Sequence, residues 1–553
     1  MILFCFFYHC LLKKVYSKHK KLLKKSALKR APGCCHLPSI FECFSFLHTF
    51  FSFPVHVLTM KWALLSVWDK TGIIDLARAL TEYKYTIMSS GGTGKALAQA
   101  GIRYTEVSNY TGFPEMMDGR VKTLHPKVHG GLLGRRQIDD AVMAKYGINR
   151  IDLLVANLYP FESMAAQSMG IDKLIEYIDI GGPAMIRAAA KNFKDVTVVV
   201  DPVDYPKLIG TLRSGDISAE ERFALAKKAF ARTAAYDAAI SNYFYRIDAQ
   251  FPATFTTQYT HGRTLRYGEN PHQQAAVYGA TGIAGTEPLQ GRQMSYNNYL
   301  DVNAAVALLR EFEECAAVIV KHNNPCGVAV SNTLSDAYST AREVDPVSAY
   351  GSVVALNREV TQTVAEDLCS TFVEVVIAPV FSQDARSVMK KKENMRILEI
   401  HKPAPSDDIR TIDGGVLVQR TPAYQEHWKV ITDRDPTAEE MRALQLAWKV
   451  CKHTRSNTII FADQHRTLGI GAGQMSRVDA AKIAIMKACA SLKGSAVASD
   501  AFLPFPDTLE TAADAGATAL VQPGGSIRDD EVIAAANRLN MAMIFTGVRH
   551  FKH

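Results

Sequence analysis

Residues 63–100 read ALLSVWDKTGIIDLARALTEYKYTIMSSGGTGKALAQA, and the changing hydrophobic period within this stretch decides the fold class. Ala63–Val67 is a short apolar run and predicts a strand. In Thr71–Glu82 the apolar residues Ile73, Leu76, Ala77 and Leu80 recur three and four apart, the spacing of one helix face. Tyr85–Met88 reads as a second strand, Gly91-Gly92-Thr93-Gly94 as a loop and Lys95–Ala100 as a short helix. Downstream, Leu153–Ala156 and Val196–Val200 look like fully buried strands. Strands alternating with helices from Trp62 to about Val200 predict an α/β layer on a mainly parallel sheet.

Farther along, residues 219–247 read as helix and Pro252–Gly262 as a polar, Thr-rich connection. A second region begins near Gln258, with strand candidates at Ala316–Val320, Val353–Leu356, Val373–Ile377 and Leu468–Ile470. It closes on Ala517–Val521, a Pro523-Gly524-Gly525-Ser526 loop, a helix from Ile527 to Arg538 and the strand Met541–Phe545, a βαβ pattern. The expected division is an extension at 1–59, a first domain at 60–257 and a second at 258–553.

A chain of 553 residues exceeds one hydrophobic core, and about two to four domains are expected. The net charge of +8 suggests a nucleic-acid partner until it is located. Residues 1–59 hold nine of the 63 basic residues and only Glu42 of the 55 acidic ones, leaving 54 of each in the remainder. The body is neutral and gives no reason to expect nucleic acid. Five of the ten cysteines (Cys5, Cys10, Cys34, Cys35, Cys43) also fall in the extension, and no C-x-x-C occurs. That argues against a zinc site or a disulfide framework and fits a reducing, cytoplasmic setting. From residue 60 onward no apolar run reaches the roughly 18–20 residues of a membrane span. In the extension the cationic stretch follows the apolar one, the reverse of a secretory signal. It is expected to be upstream sequence, with the enzyme starting at Met60; an organelle transit peptide is the alternative.

Ser89–Ala96 resembles a Walker A loop but fails it, because Ser89 replaces the first Gly and Ala96 the final Ser or Thr. A Gly-rich turn between strand and helix still offers backbone N–H groups to a phosphate; a tight structural turn is the alternative. Gly469-Ile470-Gly471-Ala472-Gly473-Gln474 fails the dinucleotide fingerprint at Gln474. Pro325-Cys326 fails the zinc-deaminase pattern, since Ala329 stands at the second Cys and no H-x-E occurs. Lys321-His322-Asn323-Asn324-Pro325-Cys326-Gly327 is more informative: an apolar strand ends in a cation, an imidazole and two amides before Pro and Gly turn the chain. Strand ends are where α/β folds gather reactive groups. Gly119–Pro126 packs Arg120, Lys122 and His125 into one loop, which suits a phosphorylated ligand.

Ser66–Gly72, Ser90–Thr93, Arg120–His129, Asn157–Phe161, Ile178–Gly182 and Arg187–Asn192 closely resemble the IMP cyclohydrolase domain of the bifunctional purine-synthesis enzymes. Leu265–Gln273, Lys321–Gly327, Ser456-Asn457, Gly469–Arg477, Ser499–Phe505 and the terminal Arg549–His553 resemble the AICAR formyltransferase domain of the same enzymes. The likeness covers essentially residues 60–553, in order and at family spacing.

The resemblance implies a methylglyoxal-synthase-like first domain and a second domain of cytidine-deaminase-like units without zinc. It implies a homodimer whose formyltransferase sites are completed across the subunit interface. The implied reactions are formyl transfer from 10-formyltetrahydrofolate to AICAR, giving FAICAR, then ring closure to IMP with loss of water. No metal, nucleic acid or membrane is implied. For formyl transfer the resemblance assigns proton transfer to His322, charge stabilisation to Lys321 and substrate registration to Asn457. Arg266, Tyr267, Arg477 and Arg549 fall to the nucleotide, and Phe502, Pro504, Gly524 and Gly525 to the folate side. For ring closure it assigns acid–base and oxyanion work to Lys122, Tyr159, Asp179 and Lys191. The phosphate falls to Lys70, Ser90, Gly91, Gly92, Thr93 and Thr123, with Asp69, Arg120 and Asn157 also substrate-binding. The chemistry is consistent: both steps need proton shuttling and a stabilised oxyanion, and an imidazole of ordinary pKa about 6.5 suits the amine proton.

Two positions depart from the family pattern. Trp68 replaces a small hydroxyl residue before Asp-Lys, and Val380 stands where relatives often carry Gly. A catalytically silent nucleotide-binding module is the competing class, but such a module is expected to lose the Lys321-His322 pair or Lys191, and both are present.

Overall fold

The computed structural model describes residues 60–167, 169–247, 251–400, 407–420 and 425–553. The expectations for the extension at 1–59 lie outside the described residues. The chain forms two compact units that part between Thr233 and Ala234, inside the helix Ala219–Ile247.

The first unit is built on the stretch that opens the sequence argument. Strands β1 (Lys61–Ser66), β2 (Tyr85–Ser89), β3 (Thr105–Glu106), β4 (Leu153–Ala156) and β5 (Thr197–Val199) form one sheet in the order β3-β2-β1-β4-β5. Every pairing is parallel, as the buried, non-alternating runs predict. The helix Ile73–Glu82 lays Ile73, Leu76, Ala77 and Leu80 against the sheet, all fully buried. Strand order proceeds from β1 to β3 on one side and resumes with β4 on the other. The boundary between β1 and β4 is therefore a topological switch point, whose carboxyl-end crevice is where α/β sheets bind ligands.

One local expectation fails here. Gly91–Gly94 is not a loop before a helix at Lys95; it is the first turn of a single helix, Gly91–Gln99. Glycine's poor helix propensity is overridden because Thr93, Gly94 and Leu97 are buried and the Thr93 hydroxyl is tied to the Val67 backbone.

In the second unit a small hairpin, β6 (Arg263–Leu265) with β7 (Ala275–Val277), precedes two larger sheets. The first large sheet comprises β8 (Ala316–Lys321), β9 (Asn324–Val330), β10 (Ser352–Leu356), β11 (Val373–Ala378) and β12 (Arg396–Glu399), in the order β12-β11-β10-β8-β9. A second hairpin joins β13 (Asp408–Ile412) to β14 (Gly415–Gln419). The other large sheet holds β15 (Lys429–Val430), β16 (Ile459–Ala462), β17 (Thr467–Gly471), β18 (Ala496–Ser499), β19 (Ala519–Gln522) and β20 (Ala542–Phe545), ordered β15-β20-β19-β18-β16-β17. The helices Tyr296–Leu309 and Ala438–His453 share one buried core with both sheets, through Val302, Leu309, Leu444 and Trp448 against Val318, Val353, Ile460 and Val521. The edges β9 and β17 also meet directly: the Val328 N–H donates to Thr467 Oγ1 at 3.1 Å and the Val330 N–H to the His465 carbonyl at 2.8 Å.

The strand β9 corrects the reading of Pro325 and Gly327 as a turn. The turn is one step earlier, at His322-Asn323, and the chain then runs straight back along β8. Pro325 is tolerated because it sits at a register shift opposite Val320 on a sheet-edge strand, where its missing N–H breaks no regular ladder.

Candidate active sites

In the first unit, segments following β1, β2 and β4 converge at the switch point. Asn157, just after β4, locks the chain after β1: its Oδ1 accepts from the Trp68 and Asp69 N–H groups at 2.6 and 2.9 Å, and its Nδ2 donates to the Asp69 carbonyl at 2.9 Å. Asp69 closes the same turn by accepting from the Thr71 hydroxyl and N–H, which hold its carboxyl below its ordinary range. Ser90 is the extended residue before the helix Gly91–Gln99. A Cβ on Gly91 would stand 3.0 Å from Lys122 Nζ, and one on Gly92 3.6 Å from Lys70 Nζ. Two ammonium groups thus flank the open N–H groups of a helix start, an arrangement that attracts a phosphate.

Thr123 and Asp179 complete this cluster. A Cβ on Gly181 would lie 2.6 Å from Thr123 Oγ1, so the helix Gly181–Lys191 begins against the Lys122-Thr123 segment. Asp179 accepts from the Gly182 N–H at 2.8 Å and from the Tyr159 backbone. Burial nevertheless pushes its carboxyl up, and burial together with Asp179 and Glu115 pushes the Tyr159 phenol up. A raised carboxyl and a raised phenol thus stand near a paired cation, Lys122 with Glu115 at 3.0 Å, and perturbed groups gathered in a crevice are candidates for acid–base work. Arg120 is placed on the exposed side, paired with Glu176. Lys191 is the last residue of the helix whose start touches Thr123, and its side chain is exposed.

In the second unit the assembly is set by strand direction. β16 runs antiparallel to β17 and β18, and β18, β19 and β20 are parallel. The residues before β16 and those after β17, β18, β19 and β20 therefore all emerge on one edge. Those residues include Ser456-Asn457, Arg477, Phe502 and Pro504, Gly524 and Gly525, and Arg549. Asn457 Nδ2 donates to the Gln474 and Met475 carbonyls at 3.0 and 3.1 Å. Arg477 pairs with the fully buried Asp500 at 3.2 Å, and Asp500 also takes the Ser456 hydroxyl. Arg549 and Arg477 stand over the Phe551 ring, 4.4 and 5.8 Å from its centroid. Phe502 is partly exposed, and the Gly525 N–H is held by Asp529 at 2.7 Å.

The first large sheet delivers Lys321 and His322 to the same place. His322 and Asn323 have φ of 53° and 64° and connect paired Lys321 and Asn324, the two-residue hairpin with both centres left-handed. Asp301 clamps that turn, accepting from the Asn323 N–H at 2.6 Å; burial pushes its carboxyl up. Lys321 Nζ donates to the Tyr350 carbonyl at 2.7 Å. Asn324 Oδ1 accepts from the Arg455 N–H at 3.0 Å, tying the His322 turn to the chain entering Asn457. Lys321, His322, Asn324 and Gln474 line one cavity of about 280 Å³, with Asp345 and Lys487 paired at 2.9 Å on its wall. Arg266 and Tyr267 form their own pair after β6, at 2.9 Å between Nη2 and the phenol oxygen. Val380 is exposed beyond β11.

Asp301, Asn324, Gln474 and Asp500 are organising residues that the sequence reading did not assign. Asn324, Gln474 and Asp500 lay inside quoted motifs; Asp301 carried no signal, since an acid on a helix reads as solvated surface. Among the described residues no group of three or more His, Cys, Asp or Glu is placed to hold a metal ion, and no described helix is long and apolar enough to cross a membrane.

The family model described as AICARFT/IMPCHase bienzyme matches residues 189–487, and that of the MGS-like domain matches residues 72–184. The bifunctional purine biosynthesis protein PurH of Magnetococcus marinus is 49% identical over 531 residues, covering 89% of this chain and 99% of the relative. PurH of Persephonella marina is 50% identical over 512 residues, with the same coverage. The crystal structure of ForH aligns over 34% of this chain and 97% of its own, at 37% identity and a TM-score of 0.31.

Proposed function

The chain belongs to the AICARFT/IMPCHase bienzyme family, and on that premise we propose how its two units divide the work. It is a bifunctional enzyme of purine biosynthesis, an AICAR formyltransferase and IMP cyclohydrolase. The observation that carries the residue assignment is the convergence of the β8–β9 turn with one edge of the second large sheet, through Asn324 and Arg455.

In formyl transfer the AICAR amine attacks the formyl carbon of 10-formyltetrahydrofolate. The new C–N bond forms as the amine loses a proton and the folate nitrogen leaves and gains one. His322, exposed on its turn, takes the amine proton; Lys321 stabilises the oxygen charge; Asn457 registers the substrate. Arg266, Tyr267, Arg477 and Arg549 supply cations and phenol to the nucleotide. Phe502, Pro504 and the Gly524-Gly525 turn supply the folate side. In ring closure the carboxamide nitrogen attacks the formyl carbon and water departs. Lys122, Tyr159 and Asp179 carry the proton traffic, while Lys70, Ser90–Thr93 and Thr123 hold the phosphate, with Asp69 and Asn157 shaping the turn. Lys191, at the C-terminal end of the helix Gly181–Lys191, is the fourth member of that acid–base and oxyanion set. The co-substrate is 10-formyltetrahydrofolate, the setting cytoplasmic, and the working unit a homodimer.

The two activities separate at the boundary between residues 257 and 258. A fragment of residues 60–257 is expected to convert FAICAR to IMP without folate. A folded fragment with no cyclohydrolase activity contradicts the division.

A further inference from the structure

The switch-point crevice of the first unit has a feature that the ring-closure assignments do not use. Trp68 follows β1 at a position where the family pattern has a small hydroxyl residue, and its side chain is 45% exposed. Its ring centroid lies 5.1 Å from that of Tyr159 at 60°, and 6.2 Å from that of Tyr177 at 76°. Both are edge-to-face geometries, which hold aromatic rings in preferred orientations. The Trp68 backbone is fixed at both ends: its N–H donates to Asn157 Oδ1 at 2.6 Å and its carbonyl accepts from Lys70 Nζ at 3.1 Å. Indole and phenol each turn about two torsions, so with the Trp68 backbone anchored it is the edge-to-face contacts with Tyr159 and Tyr177 that set the ring orientations.

We infer that Trp68 is a positioning residue for ring closure, its indole holding the Tyr159 phenol in the orientation that proton transfer requires. This rests on the reading of Tyr159 as an acid–base group. Tyr159 belongs to the segment after β4, Trp68 to that after β1, and Tyr177 to the segment entering Asp179, so the three rings link the three segments that build the crevice. A serine at this position has no ring edge to offer the phenol. Because Trp68 makes its polar contacts through the backbone, replacing the side chain leaves the Asn157 and Lys70 hydrogen bonds in place.

The test uses the full chain with purified FAICAR, comparing wild type, Trp68→Ser, Trp68→Phe, Tyr159→Phe and the Trp68→Ser/Tyr159→Phe double variant. Thermal unfolding of the same preparations reports folding of the first unit, and formyl transfer reports the second. Trp68→Ser is expected to lower kcat for ring closure about 3–10-fold, the scale of one aromatic pair, with KM changed by less than about twofold. Trp68→Phe restores most of the loss. In the Tyr159→Phe background, Trp68→Ser is expected to add nothing, because the group it positions is gone. Wild-type kcat in Trp68→Ser, failure of Phe to rescue, or an equal fold-loss in both backgrounds overturns the inference. If Tyr159→Phe is crippled while Trp68→Ser is normal, Tyr159 keeps its role and only the role of Trp68 falls. If Tyr159→Phe closes the ring at the wild-type rate, the Tyr159 reading falls and this inference with it.

Discussion

Replacing His322 by glycine separates a functional histidine from a structural one more sharply than alanine does. His322 is an L-residue held at φ 53°, a left-handed conformation that costs about 1–2 kcal/mol. Glycine removes that strain and adds chain entropy to the unfolded state, a penalty of about 0.5–1 kcal/mol. The His322 side chain is exposed, so little packing is lost, and the turn keeps its clamp because Asp301 binds backbone N–H groups. The net stability change for His322→Gly is therefore about zero to 1.5 kcal/mol in favour of the variant, a Tm shift of no more than about 2–4 °C. Formyl transfer is expected to fall roughly 10²–10⁴-fold, the range for a positioned acid or base, while ring closure is unchanged. The assay measures both activities and thermal unfolding on one preparation. A variant that melts several degrees lower yet transfers formyl at a near-normal rate refutes the reasoning, since it marks His322 as a residue kept for the turn.

Two further outcomes test packing and charge. Gly471→Ala puts a Cβ into the Ala480 carbonyl of the helix Arg477–Lys487. It is expected to destabilise by about 1–3 kcal/mol and, because Arg477 opens that helix, to raise the KM for AICAR, checked by urea unfolding and steady-state kinetics. Glu426 accepts from Trp428 Nε1 at 2.9 Å and Trp448 Nε1 at 3.0 Å and faces His550 Nε2 at 3.1 Å. Burial alone raises its carboxyl, but the His550, Trp428 and Trp448 hydrogen bonds outweigh it and hold it at about 2. A folded pKa below the unfolded one gives stabilisation that is complete above the ordinary carboxylate value and is lost as pH falls toward about 2. Glu426→Gln is expected to lose on the order of 1–3 kcal/mol at pH 7. Between pH 5 and 2 its stability should fall less steeply than wild type, as followed by Trp fluorescence; parallel acid limbs contradict the assignment.

The parallel sheet of the first unit was legible because its strands are covered on both faces and read as unbroken apolar runs: Leu153–Ala156 is buried at every position. The helix Ala219–Ile247 was equally plain, to its end residues. Strand β9 was not, since Pro325 and Gly327 are turn-forming residues in isolation and only pairing with β8 makes them part of a strand. The rejected Gly469-Ile470-Gly471 motif has a packing explanation that no local reading supplies: side chains at both glycines would strike the carbonyls of Ala484 and Ala480. Candidate site residues clustered in motifs could be proposed from the sequence, because strand-end loops keep polar groups close along the chain. The partners that fix them were not: Asp301 is 21 positions from His322, and Tyr177 is 109 from Trp68. Those relations arise only when strands are placed side by side.

The central claim is that one chain carries two consecutive reactions on separate residue sets, and Asp179→Asn in the full chain tests it most directly. The measurement is chromatographic quantification of AICAR, FAICAR and IMP after incubation with AICAR and 10-formyltetrahydrofolate. Asp179 is half-buried in the first unit beside Tyr159, with its carboxyl raised, and the proposal assigns it to the ring-closing set alone. Asp179→Asn is expected to consume AICAR at the wild-type initial rate and accumulate FAICAR, with IMP formation slowed roughly 10²-fold or more. IMP appearing at the wild-type rate, or AICAR consumption falling in parallel with IMP formation, would contradict the account.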